Sequence, residues 1–248
     1  MNASVKRLHQ EAALPAACER CGVRTKSLCG VLNPEELQAV NAISRLKSVE
    51  AGQVIVMEGD HDLFATVVSG ILLVKKGLED GREQIINILF PSDFMGRAFA
   101  RDATFTVEAA SDALLCTFDK SGFEQAVDTY PSIERKLFHL TLAELDQARD
   151  WMLLLGQKDA MERVATFLLR LADRAQCSGS RGAGGPGSVA FDLPITRSDM
   201  AAALGLTIET VSRKLTGLRK AGVVDIRSTR HVSVLDYRRL RAAAGYSD

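Results

Sequence analysis

The sequence has no long apolar run. Its first thirty residues hold nothing like the apolar stretch of a signal peptide, and no later segment approaches the roughly eighteen apolar residues of a membrane span. A cytoplasmic protein with no membrane partner is expected. Net charge is absent too, with 31 Lys and Arg balancing 31 Asp and Glu. The four histidines, His9, His61, His139 and His231, are scattered, and no glycine-rich phosphate loop precedes a helix. With no convergent acid, base or nucleophile set, the chain does not read as an enzyme. No internal repeat is evident.

Cysteine is scarce, yet three of the five cysteines fall in one short segment, "ACERCGVRTKSLCG". Cys18, Cys21 and Cys29 have the form Cys-x2-Cys-x7-Cys. In a cytoplasm that keeps thiols reduced, such clustering points to metal ligation or redox sensing rather than to structural disulfides. Cys116, in the apolar strand "ALLCTF", could supply a fourth thiolate once the chain folds. The spacing leaves several readings open: an iron–sulfur cluster, a structural zinc with four thiolates, a redox disulfide between Cys18 and Cys21, or a Cys116 that is only a small core residue. Cys177 reads as an ordinary thiol.

Beyond the cysteines, Asn33-Pro34-Glu35-Glu36 starts a helix, with Asn as N-cap, Pro at the first helical position and acids in the first turn. It should run to about Arg45. From there to Phe118, short alternating apolar runs between glycines predict a compact β-roll of roughly seventy residues, with Asp80-Gly81 turning a hairpin. Pro131 to Leu155 reads as one helix, about 37 Å long and stopped at Gly156. Along it Glu134, Phe138, Thr141, Leu145, Ala148, Met152 and Leu155 alternate spacings of four and three, a coiled-coil seam that favours a parallel homodimer over a single helix buried on both sides by its own protein. A second stripe, Ile133, Leu137 and Leu140, can face the roll. Lys158 to Ala175 forms a further amphipathic helix, and Ser178 to Ser188 is a flexible loop by composition.

The C-terminal part is the basic one. From Asp192 to Asp248 there are ten Lys and Arg against six Asp and Glu. Within "PITRSDMAAALGLTIETVSRKLTGLRKAGVV", Thr196-x-x-Asp199 opens a short helix as a capping box. Gly205 turns the chain, Thr207 caps a second helix to about Ala221, and Gly222 ends it. Val211, Leu215 and Leu218 form its inward stripe, leaving Glu209, Ser212 and Arg213 on the outer face. These suit base edges: Arg213 can pair with guanine O6 and N7, Glu209 can accept from cytosine N4, and Ser212 can reach a base or a phosphate. On an isolated helix the same face would read as solvated, with a Glu209–Arg213 ion pair. "VVDIR" and "RHVSVLD" then predict a two-stranded wing. Thr196, Thr207 and Thr210 complete the expected DNA-contacting set.

Helix, glycine-rich roll, long helix and "TRSDMAAALGLTIETVSRKL" together resemble the CRP/FNR superfamily of bacterial transcription regulators over nearly the whole chain. The Cys spacing, "RDWMLLLGQKDAMERVATFLL" and Glu209-x-x-Ser212-Arg213 are most similar to its FNR-type, alphaproteobacterial branch. That resemblance implies an α+β fold: a sensor domain with a jelly-roll β-roll over residues 1–130, a dimerisation helix over 131–156 and a winged helix-turn-helix over 157–248. It implies a [4Fe-4S] cluster on Cys18, Cys21, Cys29 and Cys116, and an oxygen-responsive activator that dimerises on a palindromic double-stranded operator with TTGAT half-sites. RNA polymerase is an expected partner, with the Lys75–Glu83 hairpin a candidate contact. The cyclic-nucleotide branch fits less well. Arg97 follows Gly96 directly and no Arg-Ser or Arg-Thr pair comes later, so cyclic-nucleotide dependence is not expected. The alternatives are a regulator with structural cysteines or small-molecule gating and, more remotely, an iron–sulfur redox enzyme.

Overall fold

The computed structural model describes residues 14–177, 189–228 and 230–246. The expected loop at Ser178–Ser188 and Thr229 of the wing lie outside these.

A short helix α1 (Ala16–Glu19) and a 3-10 turn (Leu28–Val31) lead into α2 (Pro34–Ala42). The Asn33 capping box is complete: Glu36 N donates to Asn33 Oδ1 and Asn33 N donates to Glu36 Oε2, each at 2.9 Å. The helix stops at Ala42 rather than near Arg45, because Ser44 already pairs with Phe118 in the first strand.

Eight strands follow: β1 (Ser44–Val49), β2 (Val54–Val56), β3 (Phe64–Ser69), β4 (Leu72–Gly77), β5 (Glu83–Leu89), β6 (Phe94–Met95), β7 (Thr106–Ala109) and β8 (Ala113–Phe118). They form two antiparallel four-stranded sheets, β1-β8-β3-β6 and β2-β7-β4-β5. The strand alternation separates two cores. Ala65, Val67, Ala113 and Leu115 point into the roll. Phe64, Cys116 and Phe118 point outward, under Leu28, Val40 and helix α3 (Lys120–Thr129). Phe64, Phe94, Phe118 and Phe123 pack there with ring centroids 5.0 to 6.4 Å apart.

The long helix α4 covers Pro131–Gln157. Gly156 does not stop it: the helix passes through that glycine and ends where Lys158 turns extended, at φ −86° and ψ 143°. At its base Ile133 is fully buried, and Leu137 and Leu140 pack beside it on the outer aromatic core, as the second stripe requires. Ser132 Oγ donates to Glu36 Oε1 at 2.8 Å, tying the start of α4 to α2.

Helix α5 (Ala160–Cys177) begins two residues later than expected, because Lys158 and Asp159 form the linker. The C-terminal unit then adds β9 (Val189–Asp192), α6 (Arg197–Leu204), α7 (Ile208–Lys220), β10 (Val224–Ile226), β11 (His231–Val234) and α8 (Tyr237–Ala243). The wing is three-stranded, ordered β10-β11-β9, rather than two-stranded. Its core is continuous with the roll through Leu73 and Ile85, since β5 packs against α6. No helix among the described residues is long and apolar enough to cross a membrane.

Candidate functional site

Two sites emerge, one of sulfur at the front of the roll and one of polar side chains on α7. The front segment is held by a few specific contacts. Ser27, itself buried, caps the 3-10 turn: Cys29 N donates to Ser27 Oγ at 3.3 Å, and Ser27 Oγ donates to Arg24 O at 3.0 Å. Leu28 beside it is fully buried among Phe64, Phe118, Phe123 and Ile133. That burial is worth about 1.5–3 kcal/mol and pins the segment to the roll and to the base of α4. Cys18 Sγ donates to Asn41 Oδ1 on α2 at 3.6 Å. Gly30 is required by close approach: a Cβ there would lie 2.4 Å from Thr25 O.

The four cysteines are free thiols, and each is half-buried. They lie within electrostatic reach of one another. Burial, then Cys116, then Cys18 push the Cys29 thiol from 9.0 up to about 12, against a smaller lowering by Ser27. Cys116 is raised mainly by burial and next by Cys18 and Cys21, while a hydrogen bond with Ser44 opposes the rise. Cys18 is raised by burial and by Cys21, and Arg24 lowers it less. In register with Cys116 across β3 and β8 stands Thr66, whose buried hydroxyl has no hydrogen-bond partner. Among the described residues, no three Cys, His, Asp or Glu side chains converge closely enough to hold a single ion. Cys177 ends α5, far along the chain from this site.

The second site is built by caps. Asp199 N donates to Thr196 Oγ1 at 3.1 Å and Thr196 N donates to Asp199 Oδ2 at 3.0 Å, closing the capping box of α6. Gly205 follows in the left-handed region at φ 61°, the conformation this tight turn needs. Thr207 caps α7, accepting from Thr210 N at 3.2 Å. Val211, Leu215 and Leu218 are buried, so Glu209 and Arg213 face outward with Ser212 half-buried between them. Arg213 Nη2 donates to Thr210 Oγ1 at 3.3 Å, and no Glu209–Arg213 ion pair forms among the described residues. Backbone and Thr207 hydrogen bonds hold Glu209 below its ordinary range, keeping it an acceptor. The hydroxyls of Thr196 and Thr207 are engaged in the caps.

Along α4, Glu134, Phe138, Thr141, Leu145, Ala148 and Met152 are exposed, Phe138 at 61 % and Met152 at 73 %. Leu155 departs from the expected seam. It is half-buried and packs on the C-terminal core, where its Cδ2 lies 3.8 Å from the Cβ position of Gly205. The heptad count carries it to the seam, but the end of α4 already rests on the DNA-reading unit. Leu142 and Leu153, which the strict heptad skips, extend the exposed apolar face instead. In the roll, Arg97 is tied down: its backbone N donates to the buried Asp62 Oδ2 at 3.0 Å and its Nη2 to Asp102 O at 2.7 Å.

A β-roll joined through one long helix to a winged helix-turn-helix is the architecture of a DNA-binding transcription regulator. Residues 46–130 match the cyclic nucleotide-binding domain, and residues 162–243 the Crp-like helix-turn-helix domain. The chain is 40% identical over 239 residues to the transcriptional activator protein FnrL of Cereibacter sphaeroides, covering 96% of each chain. It is 36% identical over 228 residues to the nitrogen fixation regulation protein FixK of Bradyrhizobium diazoefficiens, covering 92% and 93%. The solved structure of FixK2 from Bradyrhizobium japonicum superposes with a TM-score of 0.75 at 33% identity, over 83% of this chain and all of that one. The chain belongs to the CRP/FNR family of transcription regulators, and its relatives and fold are those of regulators, not enzymes.

Proposed function

We propose that the chain is an oxygen-responsive transcription activator in which Cys18, Cys21, Cys29 and Cys116 hold a [4Fe-4S] cluster. The observation that supports this reading is the gathering of four half-buried free thiols, three from the front segment and one from β8, within electrostatic reach of one another beside the aromatic outer face of the roll. Thiolates are the ligands such a cluster takes, and donors to its sulfurs tune it. The unpartnered Thr66 hydroxyl, across the strand pair from Cys116, is free to make such a bond, whereas the Ser44 hydroxyl beside it already donates to Asn41 O. A four-iron cluster is broader than one ion, which fits thiols that are near one another without converging on a single point. When bound, the cluster supplies an oxygen-labile cross-link between the front segment and the roll.

This chain's own residues do the rest. Leu28 and Ser132 connect that segment and α2 to the base of α4. Phe138, Leu142, Leu145 and Met152 present an apolar face to a second copy, while Glu134 brings like charges together and Thr141 and Ala148 bury little. The dimer is therefore marginal, and the docked segment shifts its equilibrium by stabilising one state over the other. Two copies of Glu209, Ser212 and Arg213 then engage half-sites one helical turn apart on a palindromic operator. The hairpin tip, with Leu78 exposed, remains available to RNA polymerase, whereas the hairpin's base is occupied against α6.

Operator binding with and without oxygen tests this. Protein prepared without oxygen should dimerise and bind a TTGAT palindrome, and both properties should fall on exposure to air. Equal dimerisation and affinity in air would contradict it.

A further inference from the structure

The end of α6 is gripped by side chains of two other elements, β5 of the roll and α5. The last carbonyls of a helix have no partner within it. In α6, Ala201 O takes the amides of Gly205 and Leu206, but the carbonyls of the last two residues, Ala203 and Leu204, are met by side chains of other elements. Gln84 of β5 donates from Nε2 to Ala203 O at 2.9 Å. Arg163 of α5 donates from Nη1 to Leu204 O at 3.0 Å.

The same guanidinium makes two more bonds. Its Nη2 donates to Leu155 O, in the last turn of α4, at 2.8 Å, and its Nε donates to Lys158 O, in the linker, at 2.9 Å. One planar cation therefore stands between the negative ends of two helices, where the dipoles of both favour it. Its fork is rigid, so the three carbonyls are fixed relative to one another and not merely attracted. Gly205, which starts the turn into α7, lies directly beneath: its Cβ position is 3.5 Å from Arg163 Nη1 and 3.8 Å from Leu155 Cδ2.

We infer that Arg163 and Gln84 are positioning residues for operator recognition: Arg163 sets the angle between the dimer helix and the helix-turn-helix, and Gln84 sets that unit against the roll. The observation is the capture of Leu204 O by Arg163 of α5, which also holds the end of α4 and the linker, and of Ala203 O by Gln84 of β5. In a dimer that angle sets the distance between the two α7 helices, and so which half-site spacing is read. The inference rests on the dimeric, operator-binding reading given above.

The test uses the full chain prepared without oxygen, as wild type, Arg163→Lys and Gln84→Leu. Lysine keeps the charge but cannot span three carbonyls. Oligomeric state is measured by sedimentation, folding by thermal denaturation, and affinity on a TTGAT palindrome and on the same palindrome with one base pair added to or removed from its centre. Wild type should prefer the correct spacing by about tenfold or more, and a folded, dimeric Arg163→Lys should retain under about threefold, since charge-assisted bonds to carbonyls are lost. Should Arg163→Lys lose its fold, Gln84→Leu carries the same test through Ala203. A variant that dimerises and keeps the wild-type preference, or weakens at all spacings by one factor, overturns the positioning role alone. A wild type that binds no palindrome at any spacing overturns the operator reading, and this inference with it.

Discussion

At Cys29 the cost of burying a charge decides the chemistry. The native chain holds that thiol's proton more tightly than the unfolded chain does, because its pKa is pushed from 9.0 up to about 12. The sign follows: this stabilisation is complete below the unfolded value near 9 and is lost as pH rises toward 12. In metal-free protein the denaturation midpoint should fall over that window, with Cys29 alkylation still accelerating above pH 10; an alkylation rate that levels off near pH 9 would contradict the burial. Binding iron must expel these protons, so cluster assembly should improve with pH. Gly30→Ala should displace the Thr25 carbonyl, 2.4 Å from the new Cβ, and lower iron retention under anaerobic conditions without unfolding the roll. Cys116→Ser should lose the iron and Cys177→Ser should keep it, as read by metal analysis. The clustering of Cys18, Cys21 and Cys29 is legible in the sequence because these three lie close along the chain. Ser44, Asn41 and Thr66 are not, since only strand register and helix docking bring them beside the sulfurs.

Among the elements, α4 shows where periodicity informs and where it misleads. The heptad stripe correctly anticipates the exposure of Phe138, Leu145 and Met152, because an apolar repeat on a long helix marks a face. It misplaces Leu155, whose environment is set by a helix fifty residues later. Met152→Glu should turn the proposed dimer to monomer in sedimentation while leaving the fold intact, since its side chain is 73 % exposed in the single chain. The sequence places a stop at Gly156, yet this residue lies within the last turn of the helix with nothing within 4 Å of its Cβ position. Gly156→Ala should therefore stabilise the protein by about 0.5–1 kcal/mol, seen as a higher denaturation midpoint. Strand β9 and helix α8 escaped notice because each is short and is stabilised by tertiary partners: β9 by pairing with β11, and α8 by packing on α5.

Over the whole molecule, a run of contacts joins the cysteine segment, the long helix and the C-terminal unit. Leu28 and Ser132 couple the first to the second, and Leu155, Arg163 and Gln84 couple the second and the roll to the third. The outward placement of Glu209 and Arg213, with Ser212 half-buried between them, is legible in the sequence because caps and a glycine turn are encoded locally. The coupling residues are not, because a half-buried Arg or Gln has no sequence signature. The central claim is that four thiols hold one oxygen-labile inorganic centre. Iron and acid-labile sulfide assays on anaerobically purified protein, with its visible spectrum followed during exposure to air, test it most directly. About four iron and four sulfide per chain, with a brown colour that fades in air, is the predicted result; one zinc per chain, or no metal, would contradict it.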